Sequence, residues 1–305
     1  MTDREQLLDE LRPVAFAIAY RMLGSVSEAE DVIQEALLRL HQTLECGEPI
    51  ASPRAFLATV TTRLAIDELR SARARRERYV GEWLPEPILT DELEDPARQT
   101  EMADSLSVAM LVLLESLSPE QRAALLLHDV FDYGYGEIAP IVGKNEDNVR
   151  QLATRARRHL KQRRPRFQTS REQRDELAYR FFAAAQAGDL AGLEALLARD
   201  VELTGDGGGR VPALARSLNG RGRVARTVLD WVGRVARAGV SMRRVEVNAG
   251  PGALLLDGQD RILGVWALDI VGDTVQALRS IVNPDKLAHL GPTGDFNTIV
   301  RSSSA

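Results

Sequence analysis

Cysteine is nearly missing from this sequence: Cys46 is its single thiol, so no disulfide can close within the chain and no cysteine-based zinc site can form. Histidine is almost as scarce. His41, His128, His159 and His289 are scattered, with neither metal-ligand spacing nor the context of a catalytic triad, so each reads as structural or exposed. No window approaches the ~18 consecutive apolar residues of a membrane span, and the opening MTDREQLLDE lacks the apolar stretch of a secretory signal; the expectation is a cytoplasmic protein with no membrane contact. Neither a GxxxxGK[ST] phosphate loop nor a GxGxxG fingerprint occurs, which argues against nucleotide hydrolysis and dinucleotide binding. Neither a metal nor a cofactor is expected.

What is present is enough for two or three compact units: 305 residues, at roughly 100 to 200 per domain, with 44% apolar side chains to fill their cores. A net charge of −5 speaks against a uniformly basic nucleic-acid-binding domain, but the charge is unevenly placed. From Arg63 to Arg78 six arginines face three acids, and from Arg150 to Arg166 eight lysines or arginines face none. Between the blocks, Glu82, Glu86, Asp91, Glu92, Glu94, Asp95, Glu101 and Asp104 are relieved only by Arg98. Two basic blocks around a segment that repels phosphate suggest two DNA contacts joined by a tether.

The first 80 residues read as successive helices. Ala29, Val32, Ile33, Ala36, Leu37 and Leu40 form an amphipathic stripe, with Ser27 as the expected cap. Asp31, Gln34, Glu35 and Leu38 lie off that stripe, either as a face for a partner or as an ordinary solvated face. A second long helix starts at Pro53, packs through Phe56, Val60, Leu64 and Leu69, and ends in the first basic block. Its arginines suit both phosphate contact and the helix dipole. The prolines and acids after Tyr79 predict a linker over residues 81–103, with Trp83 as an anchor.

Helical periodicity returns near Thr100, with Ser118, Pro119 and Gln121 as a helix start. Glu137–Val142, a turn at Gly143 and Lys144, and a helix capped by Asn145 resemble a helix-turn-helix. Pro140 removes a backbone donor there, which a late helix start would accommodate. Val149, Leu152, Ala153, Ala156 and Leu160 form the buried stripe of the second helix. That leaves Asn148, Arg150, Gln151, Thr154, Arg155 and Arg158 outward, suited to base edges and phosphates, although an Arg-rich surface helix has the same pattern. Glu146 and Asp147 favour a helix N-terminus but would repel phosphates there. From residue 172 two helices, a glycine turn at residues 206–210, a further helix and alternating strands predict an α+β domain with a curved antiparallel sheet over 172–291. Residues 292–305 are expected to form a tail, frayed over its last residues, TIVRSSSA.

The order EAEDVIQEALLRL, RAFLATVTTRLAIDELRSARARRE, LSPEQRAALLL and EIAPIVGKNEDNVRQLATRARRHL resembles the extracytoplasmic-function sigma factors over roughly residues 8 to 165. WLPEP (Trp83–Pro87), DGGGR (Asp206–Arg210) and NPDKL (Asn283–Leu287) resemble the subgroup with a fused C-terminal SnoaL-like domain. The resemblance implies two all-α sigma domains, 1–80 and 104–165, the second with the helix-turn-helix, followed by an α+β SnoaL-like cone. It implies that Asp31, Gln34, Glu35 and Leu38 dock on the β′ clamp helices of core RNA polymerase. Arg63, Asp67, Arg70, Arg73, Arg75 and Arg76 would melt and read the −10 element of promoter DNA, and Asn148, Arg150, Gln151, Thr154, Arg155 and Arg158 would read the −35 element. Trp83, Pro85, Asp206, Gly207, Gly208, Gly209, Arg210, Asn283, Pro284, Asp285 and Lys286 would form a regulatory interdomain contact. No separate anti-sigma factor is expected, and the cone has room in principle for an unknown small ligand.

Read without the resemblance, DGGGR is a flexible turn and NPDKL a capped helix start. Asp206 could also be a catalytic carboxylate in the cone, which fold alone does not establish. An independent helix-turn-helix regulator with a sensing domain, and an enzyme fused to a DNA module, are the competing functions. The acidic total charge speaks against the former, and no catalytic constellation supports the latter.

Overall fold

The computed structural model describes residues 3–47, 49–76, 79–90, 106–161 and 169–302, with only the backbone of residues 3, 72–76 and 302. The chain divides into two compact units, Met1–Glu77 with Leu111–Arg164, and Arg78–Met110 with Pro165–Ala305. The linker expected between the helical domains is therefore grouped with the C-terminal domain.

The first unit begins with α1 (Asp3–Leu23), α2 (Val26–Glu45) and α3 (Pro53–Arg76), each packed on the other two. The cap of α2 is Ser25 rather than the expected Ser27: its hydroxyl accepts from the Glu28 amide at 3.1 Å, while Ser27 bonds sideways to Ser25. The buried stripe of α2 is Ala29, Val32, Ile33, Ala36 and Leu40. On α3 the expected stripe is rotated. Leu57, Ala58, Thr61, Thr62, Ala65, Ile66 and Leu69 are buried, whereas Phe56, Val60 and Leu64 are only half-buried. With α1 and α2 both against it, α3 presents a broad face, and its alanines and threonines allow close approach.

Four further helices follow, α4 (Val108–Leu114), which belongs to this unit from Leu111 on, α5 (Pro119–Asp129), α6 (Tyr135–Val142) and α7 (Glu146–Lys161). A reciprocal Ser118–Gln121 capping box starts α5. Gly143, in the left-handed conformation at φ 66°, ends α6, and the Asn145 side chain caps α7 by accepting from the Asn148 amide at 2.8 Å. Pro140 lies inside α6, which starts at Tyr135; the late start expected from the sequence does not occur. So short a helix takes much of its stability from packing, here through Ile138, Ala139 and Ile141. On α7, Val149, Ala153, Ala156 and Leu160 are buried and Leu152 is half-buried.

Arg122 joins these pieces. Only 2% exposed, it donates to the Met22 carbonyl at 2.6 Å, to the Leu114 carbonyl at 3.1 Å and to Glu115 at 2.8 Å. Met22 and Leu114 lie at the C-terminal ends of α1 and α4, where carbonyls have no partner within their own helix, so one guanidinium satisfies both ends.

The second unit is an α+β cone: α8 (Arg171–Ala187), α9 (Leu190–Leu196), β1 (Leu197–Asp206), β2 (Leu218–Asn219), α10 (Arg221–Arg237), β3 (Ser241–Val247), β4 (Gly250–Leu256), β5 (Ile262–Val271) and β6 (Thr274–Ile281). The sheet order is β2-β1-β6-β5-β4-β3. It is mixed rather than wholly antiparallel, because β1 runs parallel to β6 after the α10 to β5 excursion. Helices α8 to α10 pack on the sheet through Phe181, Phe182, Leu193, Val224 and Val228, against Leu203, Leu255, Trp266, Leu268 and Leu278. The expected frayed tail is instead partly ordered. After two 3-10 turns, Pro284–Lys286 and Ala288–Leu290, α11 (Phe296–Ser302) sends Phe296 into this core, 6.3 Å from the stacked Trp231 ring. Apolar burial of Phe296, Ile299 and Val300 outweighs the ordering cost that favours a free terminus.

Replacing Arg122 with Met is expected to destabilise the first unit by about 3 kcal/mol, because the Met22 carbonyl loses its guanidinium donor while Glu115 and the Leu114 carbonyl, which keeps the Leu117 amide at 3.0 Å, each lose one bond. Urea denaturation of the full chain checks this, and an unchanged midpoint would show that Arg122 contributes no net stability.

Candidate functional site

The three short motifs meet at one buried ion pair. Asp206, the last residue of β1, is fully buried, and Lys286 in the first 3-10 turn donates to its Oδ2 at 2.7 Å. Between them runs the peptide of Leu84. Its N–H donates to Asp206 Oδ2 at 2.8 Å and its carbonyl accepts from Lys286 Nζ, so the ion pair grips one linker residue by both of its backbone polar groups. The ammonium also lies 4.3 Å from the Trp83 ring and 4.9 Å from the Tyr79 ring. Trp83 thus anchors the linker as its placement in the sequence suggested.

Tyr79 closes the arrangement. Its hydroxyl donates to Asp206 Oδ1 at 2.6 Å and accepts from Asn283 Nδ2 at 2.9 Å. Burial, with the Asp206 carboxylate beside it, pushes the phenol well above its ordinary range, so it stays protonated and keeps donating. Gly208 N–H supplies a further bond to Oδ1 at 3.1 Å. Each carboxylate oxygen of Asp206 therefore accepts two hydrogen bonds, which saturates the group and leaves no lone pair for proton transfer. The catalytic reading of Asp206 loses its chemistry here.

The glycines of DGGGR have separate reasons. A side chain at Gly207 would collide with the Val211 carbonyl, and one at Gly208 with the Asn283 amide. Gly208 and Gly209 also take positive φ, 58° and 69°. The Asp206 carbonyl accepts from the amides of Val282 and Asn283 at 2.9 and 3.0 Å, so DGGGR and NPDKL are joined through backbone as well. Asn283 caps the turn by accepting from Asp285 N at 3.1 Å, with Pro284 at the first position. Arg210 meets Asp285 at 3.0 Å, but both are well exposed and the pair adds little.

Beyond Leu84 the linker follows the cone as a strap. Pro85 is buried, the Pro87 carbonyl accepts from His289 Nε2 at 2.7 Å, and the Ile88 backbone bonds to both the side chain and the backbone of Asn248: its N–H donates to Asn248 Oδ1 at 3.0 Å and its carbonyl accepts from Asn248 N at 2.8 Å. Leu89 pairs antiparallel with Val247 at the outer edge of β3, and Thr90 donates to Glu246 through both backbone and hydroxyl. Tyr79, Leu84, Thr90, Glu246, Asn248 and His289 are site residues that the sequence reading missed. The backbone roles leave no side-chain signature, and Tyr79 stood just outside the motif. The rest of the predicted linker, 91–103, lies outside the described residues.

Replacing Lys286 with Met or Asp206 with Asn is expected to cost about 3 to 5 kcal/mol at this point, since each leaves its partner or the Leu84 peptide unpaired. Hydrogen exchange at the Leu84, Ile88 and Thr90 amides should accelerate together in both variants. Exchange unchanged from the parent chain would show that the strap is held by something else.

In the first unit, Asp31, Gln34, Glu35 and Leu38 share one exposed face of α2, and Leu38 is 49% exposed there. Glu35 pairs with Arg39 at 2.7 Å on the same surface. On α7, Asn148, Arg150, Gln151, Thr154, Arg155 and Arg158 are all exposed, with Arg150 bridged to Glu146 at 3.0 Å. The α3 residues are arranged differently. Arg63 donates to the Pro140 carbonyl at 2.8 Å, and Arg70 bridges Asp67 at 3.0 Å and Glu120 at 2.7 Å, so both turn toward α5 and α6. The side chains of Arg73, Arg75 and Arg76 lie outside the described residues.

Comparison with known proteins agrees with this layout. Residues 7–75 match Sigma-70 region 2 and residues 107–160 match Sigma-70, region 4. The chain is 38% identical over 287 residues to the ECF RNA polymerase sigma factor SigJ of Mycobacterium tuberculosis, covering 91% of each chain. It is 31% identical over 272 residues to the probable ECF RNA polymerase sigma factor SigI of the same species, covering 88% of this chain and 90% of that one. The crystal structure of M. tuberculosis SigJ superposes with a TM-score of 0.75 at 36% identity, covering 93% of this chain and 98% of that one. With two helical sigma regions, a C-terminal α+β cone and this full-length likeness, the chain belongs to the extracytoplasmic-function sigma factors of RNA polymerase, which bind the core enzyme and promoter DNA.

Proposed function

We propose that the SnoaL-like domain of this sigma factor controls promoter engagement by holding the linker between its two DNA-reading regions. The observation that carries this is the Leu84 peptide clamped by Asp206 and Lys286. The exposed face of α2, with Asp31, Gln34, Glu35 and Leu38, docks on the β′ clamp helices of core polymerase. Helix α3 reads the −10 element and α7 the −35 element, Arg155 and Arg158 contacting phosphates or guanine edges. The protein works in the cytoplasm, and the built-in strap takes the place of a separate anti-sigma factor.

Geometry explains why such a hold matters. The two promoter elements are centred about 25 base pairs apart, or roughly 85 Å at ~3.4 Å per base pair. In the first unit Arg63 of α3 is within hydrogen-bond distance of α6, so the two reading regions lie side by side and must separate on the promoter. A fully extended linker of about 30 residues reaches roughly 100 Å. With residues 79–90 strapped to the cone and the Leu106 carbonyl accepting from Asn248 Nδ2 at 3.0 Å, both ends of the connection from residue 90 to residue 106 are fixed on the cone, and that length is withheld from separating the two reading regions. Release of the strap therefore shifts the population from compact toward engaged forms.

Run-off transcription with purified core polymerase on a promoter library tests this, comparing the full chain, Lys286→Met and a chain ending at Arg166. Core-dependent, promoter-specific transcripts are expected from the full chain, and a yield changed several-fold in Lys286→Met assigns control to the strap. Equal yields from all three would leave the strap a purely structural role. Duplex binding without core, and no transcript, would favour an independent regulator.

A further inference from the structure

Arg63 and Arg70 lie two turns apart on one side of α3, and each is met by a negative group of the same unit. Arg63 Nη2 donates to the Pro140 carbonyl at 2.8 Å and Nε to the Ile141 carbonyl at 3.4 Å. These are among the last carbonyls of α6, the negative end of its dipole. The neighbouring Ala139 carbonyl is already taken by the amides of Gly143 and Lys144, so α6 has its own cap and Arg63 takes what that cap leaves. Arg70 Nη2 donates to Glu120 Oε1 at 2.7 Å, from the first turn of α5. Burial pushes the Glu120 carboxyl upward, but the Arg70 hydrogen bond and the backbone at the start of α5 outweigh it and hold the group below its ordinary range, hence charged.

We propose that the α5–α6 surface is an intramolecular stand-in for the DNA backbone, presenting to Arg63 and Arg70 the oxygen acceptors that phosphates would present, so that promoter DNA must displace it to reach α3. This rests on the reading that the α3 arginines contact promoter DNA. A linear row of guanidinium groups recognises anionic oxygens without regard to their source, and a helix C-terminus with a flanking carboxylate supplies them at fixed positions. The side chains of Arg70 and Arg63 stay largely exposed, so each contact is weak and reversible, as a competitor must be. The apparent affinity for DNA is then reduced by the fraction of molecules in which α3 is free. Salt has two opposed effects: it weakens DNA binding and it weakens the stand-in. The parent chain therefore shows a shallower salt dependence than a chain whose stand-in is removed.

The test is fluorescence anisotropy of a short fluorescein-labelled single-stranded DNA oligonucleotide with the full chain, across a series of sodium chloride concentrations. Glu120→Gln is expected to bind about 2- to 5-fold more tightly than the parent and with a steeper salt slope, because it removes the α5 carboxylate from Arg70, which keeps only the Asp67 pair at 3.0 Å on its own helix, without touching a DNA-reading residue. Glu120→Asp keeps the charge at the start of α5 but shortens its reach, and must shift affinity in the same direction; it guards against a folding defect in Glu120→Gln. Affinities of both variants equal to the parent, with Arg70→Ala weaker, would overturn the stand-in and leave the DNA reading of α3 intact. Arg70→Ala binding as well as the parent would overturn that reading and the stand-in with it.

Discussion

The Asp206–Lys286 ion pair is the constraint around which the second unit is organised. A buried carboxylate and a buried ammonium carry a large desolvation cost, and they persist only where their remaining donors and acceptors are satisfied. Here that requirement draws in Tyr79, the Leu84 backbone, Gly208 and the ring of Trp83, which together with the pair itself come from three distant parts of the sequence. A saturated pair of this kind has one low-energy arrangement, and it includes the linker. The strap is therefore part of the cone's own polar satisfaction rather than an appendage resting on its surface.

The first unit uses charge in a related way. Helix ends in close-packed bundles leave carbonyls that need donors, and arginine, with five N–H groups in a planar fork, can serve two ends at once. Arg122 does so from a buried position for α1 and α4, and Arg63, from an exposed one, donates to two carbonyls at the single end of α6. The difference in exposure separates their consequences. The buried guanidinium has no exchange partner in water and acts as a permanent joint, whereas the exposed one can trade its carbonyls for any anionic oxygen. The same side-chain chemistry thus supplies architecture at one site and a reversible contact at the other.

Control by a fused domain then reduces to a few weak and strong contacts in series. The exposed faces of α2 and α7 stand ready, their polar residues turned to solvent. In the proposed function, what separates a closed molecule from an engaged one is the hold of the cone on the linker and the occupancy of the α3 arginines. Both are set by contacts of groups that a sequence pattern does not associate with one another.

The sequence alone determined the helical character of the described stretches 3–47, 49–76 and 106–161, the helix-turn-helix, the α+β class of the C-terminal domain and the three motifs, because each depends on local periodicity, capping or glycine placement. It also fixed which residues of α2 and α7 face outward, since burial of an amphipathic stripe leaves no other choice. It did not determine that Pro140 would sit inside α6, that β1 would pair parallel with β6, or that Phe296 would leave the tail for the core. Tertiary structure decided those, and it decided that Asp206 is saturated rather than catalytic and that Tyr79 and the Leu84 backbone belong to the site. The reason is physical: a hydrogen bond to a peptide group and a pairing between residues 80 or 200 positions apart leave no mark on local composition, and become legible only when the chain is folded.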